Sequence, residues 1–122
     1  MLNRKPNPLQ IKTDLLMGRM VRLITYLRSK HNIEKSWINQ LSRCGTSIGA
    51  NVAESKNAQS RADFVNKLNI ALKEADETLY WIKLFHKANN LSEKEKESIE
   101  KDIKEVISLL TSIIKTTKNN GF

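Results

Sequence analysis

A row of polar side chains recurs at helical spacing in the middle of the sequence: Gln40, Arg43, Ser47, Asn51 and Glu54. On an α-helix these residues form one stripe, which borders an apolar stripe instead of lying opposite to it. Such a stripe can hydrogen-bond to neighbouring helices and fix their register, or it can bind a ligand. We favour the structural interpretation, because polar groups beside a core usually satisfy one another.

Side chains with catalytic or metal-binding chemistry are sparse. His31 and His86 are far apart in sequence, and Cys44 is the single cysteine, which we expect to be an inert core thiol. The chain has no P-loop, GxGxxG, HExxH or CxxC motif, and it lacks the Glu-x-x-His pairs of di-iron bundles. We therefore expect no catalytic residues, no metal, no cofactor and no enzymatic activity.

The positive charge is concentrated in the first half of the chain. The 122 residues carry a net charge of +8; residues 1–61 hold 11 basic and 3 acidic residues, and residues 62–122 hold 10 of each. A one-sided basic balance is typical of a polyanion binder, although an ordinary solvated surface gives the same count. The candidate nucleic-acid-binding residues are Arg4, Lys5, Lys12, Arg19, Arg22, Arg28, Lys30, Lys56 and Arg61.

The pattern of apolar residues predicts four helices and no strand. Both prolines fall within the first ten residues, and the rest of the chain shows 3.6-residue periodicity. We expect residues 1–10 to form a mobile arm, with a first helix starting at Asn7-Pro8 or at Thr13-Asp14. The second helix should run from Ile33 or Glu34 to Asn57, and Ser60 and Ser92 should cap the third and fourth. The prediction is one all-α domain over residues 1–122, an antiparallel up-down-up-down four-helix bundle.

Small residues mark another face of the second helix. Gly45, Gly49 and Ala53 are spaced four residues apart. A glycine in mid-helix costs about 1 kcal/mol relative to alanine. The spacing therefore predicts a close approach by another helix. A helix with three specialised faces should touch several neighbours, which favours a subunit interface as well as a core.

Two segments together resemble a known bacterial family. QLSRCGTSIGANVAES (residues 40–55) and SRADFVNKLNIA (residues 60–71) are similar to the signature of the four-helix-bundle proteins also called 23S rRNA intervening-sequence proteins, or the S23 family. The family pattern is close to QxxRAxxSIxxNIAEG, followed by a Ser-x-x-Asp/Glu-Phe helix start. Cys44, Ser55 and the pair Lys73-Glu74 depart from this pattern.

The resemblance implies a homo-oligomer, with five subunits in a ring as the expected form, and an Arg43 ion pair with Glu54 or with a neighbouring subunit. Some family members are encoded within 23S rRNA genes, and related retroelement accessory proteins bind RNA and a reverse transcriptase. The resulting hypothesis is a non-enzymatic bundle that binds structured RNA, either ribosomal RNA or an RNA–protein complex, through phosphate contacts. The alternative is an adaptor that recruits a protein partner such as a reverse transcriptase.

No apolar run spans a membrane and MLNRKPNPLQ lacks a signal-peptide core, so we expect a cytoplasmic protein without membrane contact.

Overall fold

The computed structural model describes residues 7–120, and residues 1–6, 121 and 122 lie outside the description. Four helices follow one another: α1 (Pro8–Ser29), α2 (Lys35–Ser55), α3 (Arg61–Lys87) and α4 (Glu93–Asn119). Contacts run from α1 to α2, α2 to α3, α3 to α4 and α4 back to α1. Within residues 7–120, no Cα atoms of two diagonally placed helices come within 8 Å of each other. The predicted up-down-up-down four-helix bundle is therefore confirmed.

Capping boxes start the first and last helices. The Asn7 side chain accepts a hydrogen bond from the Gln10 backbone N–H at 2.8 Å, and the Asn7 N–H donates back to Gln10 Oε1 at 3.1 Å. Ser92 and Glu95 make the same reciprocal pair at 3.0 and 2.8 Å. The first alternative for the start of α1 is thus confirmed. The arm prediction is wrong for residues 8–10, because the capping box extends the helix to Pro8.

Helical periodicity also sets the edges of the core. On α4, the seven-residue repeat through Ile99, Val106 and Ile113 leaves the core at its end, because Ile114 is buried and Ile113 is only partly buried. A straight helix has 3.6 residues per turn, so a strict seven-residue repeat drifts off the buried face after a few turns. The largest fully buried side chains come from all four helices: Phe85, Leu16, Met20, Leu27, Leu41, Ile48, Leu68, Ile82, Ile103, Leu110, Val106 and Thr13.

The small-residue stripe of α2 accepts two methionines of α1. A Cβ added to Gly45 would lie 2.6 Å from Met20 Cε, and one added to Gly49 would lie 2.7 Å from Met17 Cγ. The predicted close approach is confirmed. Its partner is α1 of the same chain, so the expectation of a subunit interface does not hold for these two glycines.

Replacing Gly49 by alanine tests this contact. We expect Gly49→Ala to lower the free energy of unfolding by about 1 kcal/mol, because overpacking strain of about 1–3 kcal/mol exceeds the helix-propensity gain of about 1 kcal/mol. Met17→Ala in the same chain should relieve the strain. Ala50→Gly, on the exposed face of the same helix, measures propensity alone. If urea unfolding shows equal and opposite effects for Gly49→Ala and Ala50→Gly, the close contact is absent.

Candidate nucleic-acid interface

Two of the candidate basic residues bridge α1 and α4. Lys12 Nζ lies 2.8 Å from Glu105 Oε2, and Arg19 Nη1 lies 2.7 Å from Asp102 Oδ2. Arg19 also donates hydrogen bonds to the carbonyl and the hydroxyl of Ser98. The hydrogen bond to Glu105 raises the pKa of Lys12. These two cations therefore hold the seam between α1 and α4, and carboxylates already offset their charge.

Three further candidates lie toward the C-terminal end of α1 without an ion pair inside residues 7–120. Arg22 is exposed. Arg28 is also exposed and donates to the side-chain oxygen of Asn39 at 3.3 Å. Lys30 donates to the Asn90 carbonyl at 3.0 Å, and its ammonium lies 4.4 Å from the centroid of the Tyr26 ring. This part of α1 therefore carries three basic residues that form no ion pair within residues 7–120.

The remaining candidates do not join this group. Lys56 follows the end of α2, and Arg61, the first residue of α3, donates to the Asn120 carbonyl. A helix of 22 residues is roughly 33 Å long, so these two residues lie at the end of the bundle opposite to Arg28. Arg4 and Lys5 lie outside the described residues. The seven candidates that lie within residues 7–120 thus fall into separate groups.

A cleft of about 420 Å³ opens beside Arg22, between α1 and the start of α4. Leu23, Leu91 and Ile99 give it apolar walls, and Lys94 adds a second cation without an ion pair among the described residues. Sequence reasoning missed Lys94, because the second half of the chain has no net charge. The antiparallel arrangement of α1 and α4 was the available signal, since it places the start of α4 beside the end of α1. The full lining is Arg19, Arg22, Leu23, Tyr26, Leu91, Lys94, Glu95, Ser98 and Ile99.

Glu95 is the single acidic residue of that lining. Its carboxylate accepts the Ser92 backbone N–H in the capping box. This hydrogen bond is the main reason that the pKa of Glu95 lies below its ordinary value. Glu95 is therefore an ionised helix cap, and three cations share the lining with it.

The polar stripe of α2 connects α2 to α3. Arg43 forms ion pairs with Glu74, at 3.1 Å, and with Glu77, while Glu54 pairs with Lys67 at 3.1 Å. The expected Arg43–Glu54 pair is wrong for this chain, because 11 residues of helix separate the two by about 16 Å along the axis.

The other members of the stripe bond mainly within α2. Gln40 accepts a hydrogen bond from Arg43 Nε at 3.2 Å. The Ser47 hydroxyl and the Asn51 amide donate to backbone carbonyls one turn earlier. Together with the ion pairs to α3, these contacts support the structural interpretation of the stripe over a ligand site.

The one cysteine thiol is buried, and the side chains that could bind a metal are not clustered within residues 7–120. Cys44 is fully buried and accepts a hydrogen bond from the Thr78 hydroxyl at 3.3 Å. Burial raises the pKa of its thiol, which keeps it protonated at neutral pH. Across residues 7–120, no three His, Cys, Asp or Glu side chains come together as metal ligands. None of the four described helices has an apolar stretch long enough to cross a bilayer.

Comparison with known proteins places this bundle in a family. The sequence model of the 23S rRNA-intervening sequence protein family matches residues 12–112. The chain belongs to this family. The match includes the polar stripe, both sides of the cleft and most of the candidate basic residues.

A solved structure supports the assignment to the 23S rRNA-intervening sequence protein family. A protein of unknown function from the S23 ribosomal protein family of Bacteroides thetaiotaomicron VPI-5482 is 45% identical to this chain. The similarity covers 88% of this chain and 98% of that one, with a TM-score of 0.84. No curated protein matches the chain. The family and the fold are thus shown, and the comparison assigns no catalytic role.

The Arg43 network predicts a pH-dependent contribution to stability. The hydrogen bond from Arg43 lowers the pKa of Glu77, and one from Trp81 acts in the same direction. A depressed carboxyl pKa stabilises the fold above the unfolded-state pKa, and this contribution disappears as pH falls through the folded-state value. We expect Glu77→Gln to cost up to about 1 kcal/mol at pH 7, because the pair is partly exposed. Below pH 4.5 the difference from the parent protein should shrink toward zero.

Thermal unfolding of both proteins between pH 7 and pH 2.5 measures this difference. Asp76→Asn removes a neighbouring exposed carboxylate that forms no ion pair within residues 7–120. A Glu77→Gln penalty that stays constant down to pH 2.5, or equals that of Asp76→Asn, would contradict the assigned role.

Proposed function

We propose that this protein is a non-enzymatic, self-associating bundle that binds structured RNA, ribosomal RNA or an RNA–protein complex, through phosphate contacts. The observation that carries the proposal is the imbalance between paired and unpaired charges. Ion pairs engage seven of the 13 acidic side chains, but only five of the 19 Lys and Arg side chains within residues 7–120. About half of the acidic residues are thus paired, whereas 14 of the 19 Lys and Arg side chains within residues 7–120 form no ion pair and are available to a polyanion.

The C-terminal half of α1 is the part of this surplus that we assign to RNA. Arg22 and Arg28 are exposed and form no ion pair with another described residue. An RNA phosphate at Lys12 or Arg19 would instead compete with Glu105 or Asp102. Phosphate contacts release counterions, so binding by this surface should weaken steeply with salt and should show little base preference.

The double variant Arg22→Gln/Arg28→Gln tests this assignment. We expect it to reduce the slope of log K against log salt by about 1 for each lost phosphate contact. The measurement is fluorescence anisotropy of a labelled 23S rRNA hairpin across a salt series. Both positions are exposed and lie outside the α1–α4 ion pairs, so the fold should be unaffected.

Lys83→Gln/Lys87→Gln is the matched control. It removes the same charge from exposed positions of α3, which is diagonal to α1 in the described bundle. Equal losses in the two double variants would indicate nonspecific attraction by net charge alone. Absence of binding at low salt would contradict RNA binding and would favour the adaptor that recruits a protein partner.

The outer face of α1 supports self-association. Ile11, Leu15 and Val21 are 47%, 63% and 58% exposed, and they lie away from the core face of the helix. Gly18 lies among them, and a Cβ there would meet only the Arg22 side chain, at 3.4 Å. A mid-helix glycine that no tight contact among residues 7–120 requires, surrounded by exposed apolar residues, is suited to close packing by a second copy. We expect a ring, with five subunits as the form that the family resemblance implies.

Leu15→Glu should break this assembly. Burying a carboxylate at each interface is strongly unfavourable, so the variant should be a folded monomer. Native mass spectrometry distinguishes one chain of 14.0 kDa from a multiple of it. Tyr80→Glu, at a 57% exposed position on α3, is the control and should keep the parent mass. A monomeric parent protein, or an oligomer unchanged by Leu15→Glu, would contradict the proposed interface.

A further inference from the structure

The cleft between α1 and α4 combines an apolar floor with basic side chains that form no ion pair within residues 7–120. Leu91 and Ile99 are 4% and 3% exposed, so the floor of the cleft consists of buried core residues. The partly buried Leu23 also lines the cleft. The volume of about 420 Å³ lies within the range of roughly 300–1,000 Å³ that is typical of small-molecule sites. A planar or apolar group of modest size can therefore be desolvated here.

The polar rim of the cleft favours an anion. Arg22 and Lys94 have no ion-pair partner within residues 7–120, whereas Arg19 is held in place by Asp102 and Ser98. Glu95 is occupied by its helix cap. The lining thus contains three cations and one anion, and two of the cations remain available to a ligand.

Tyr26 adds an aromatic surface to this site. Its ring lines the cleft, and the Lys30 ammonium lies 4.4 Å from the ring centroid. A cation at this distance is attracted to the ring and helps to hold it in position. Stacking on aromatic rings is the usual way in which proteins hold unpaired bases, and it is tolerant of base identity.

We propose that this cleft binds one unpaired nucleotide, with its base against Leu23, Ile99 and Tyr26 and its phosphate between Arg22 and Lys94. The proposal rests on the RNA-binding function above and deepens it. Phosphate contacts along α1 suit any RNA, but the cleft selects RNA with a flipped or looped-out base, because a base inside a duplex cannot enter it. A free nucleoside monophosphate has the same chemistry and serves as the direct probe.

The first test is a heteronuclear NMR titration with adenosine 5′-monophosphate. We expect saturable shifts confined to residues 19–26 and 91–99. Arg22→Gln/Lys94→Gln should abolish them, and Lys83→Gln/Lys87→Gln should not. Shifts that scatter over every exposed cation, or that fail to saturate, would overturn the cleft assignment whether or not the protein binds RNA.

The second test compares a single-stranded RNA with a blunt duplex of equal charge. Leu23→Trp fills the cleft without changing the charge, and Tyr26→Leu removes the ring at an exposed position, which provides a second variant if the first folds poorly. Each should weaken single-strand binding about tenfold and leave duplex binding unchanged. If the parent protein binds both RNAs and neither variant discriminates between them, the nucleotide site is wrong while the RNA-binding function stands. If the parent binds neither RNA, the RNA-binding function is wrong.

Discussion

The close packing of α1 on α2 is the constraint on which the other features depend. Met17 and Met20 occupy the space that side chains at Gly49 and Gly45 would need. Each glycine costs about 1 kcal/mol of helix propensity relative to alanine, and its lack of a side chain makes this contact possible. α1 packs less extensively on α4 than on α2. Ion pairs and a solvent-accessible cleft occupy the α1–α4 seam.

Ion pairs between helices distinguish the basic residues that stabilise the fold from those that remain unpaired. On the α1–α4 seam, Lys12 and Arg19 face carboxylates of α4. On the α2–α3 seam, Arg43 is likewise held by two glutamates. The basic residues that remain, Arg22 and Arg28 above all, project from α1 and form no ion pair within residues 7–120. A chain with evenly distributed charge could form the same bundle, but it would lack a basic surface on one helix.

Periodicity and capping were sufficient to predict the fold, because helix starts and buried faces depend on local sequence. The Ser92 cap and the glycine stripe were predicted in this way, and Asn7 was one of two predicted starts for α1. The ion pairs were not, since they depend on which helices become neighbours: Arg43 pairs with Glu74 and Glu77 of α3 instead of Glu54 on its own helix. Lys94 was missed because the second half of the chain has no net charge. Lys94 lies near Arg22 because α4 runs antiparallel to α1. The basic residues chosen from the sequence, by contrast, include some that the structure places at opposite ends of the bundle.

In the proposed complex, RNA meets the protein along the C-terminal half of α1 and the adjoining start of α4. Photo-cross-linking tests it most directly, with RNA containing 4-thiouridine bound to the parent protein and the linked peptides mapped by mass spectrometry. Cross-links within residues 19–30 and 91–99 are the predicted result. Cross-links confined to α3, with these two segments unmodified under conditions of measurable binding, would contradict the account.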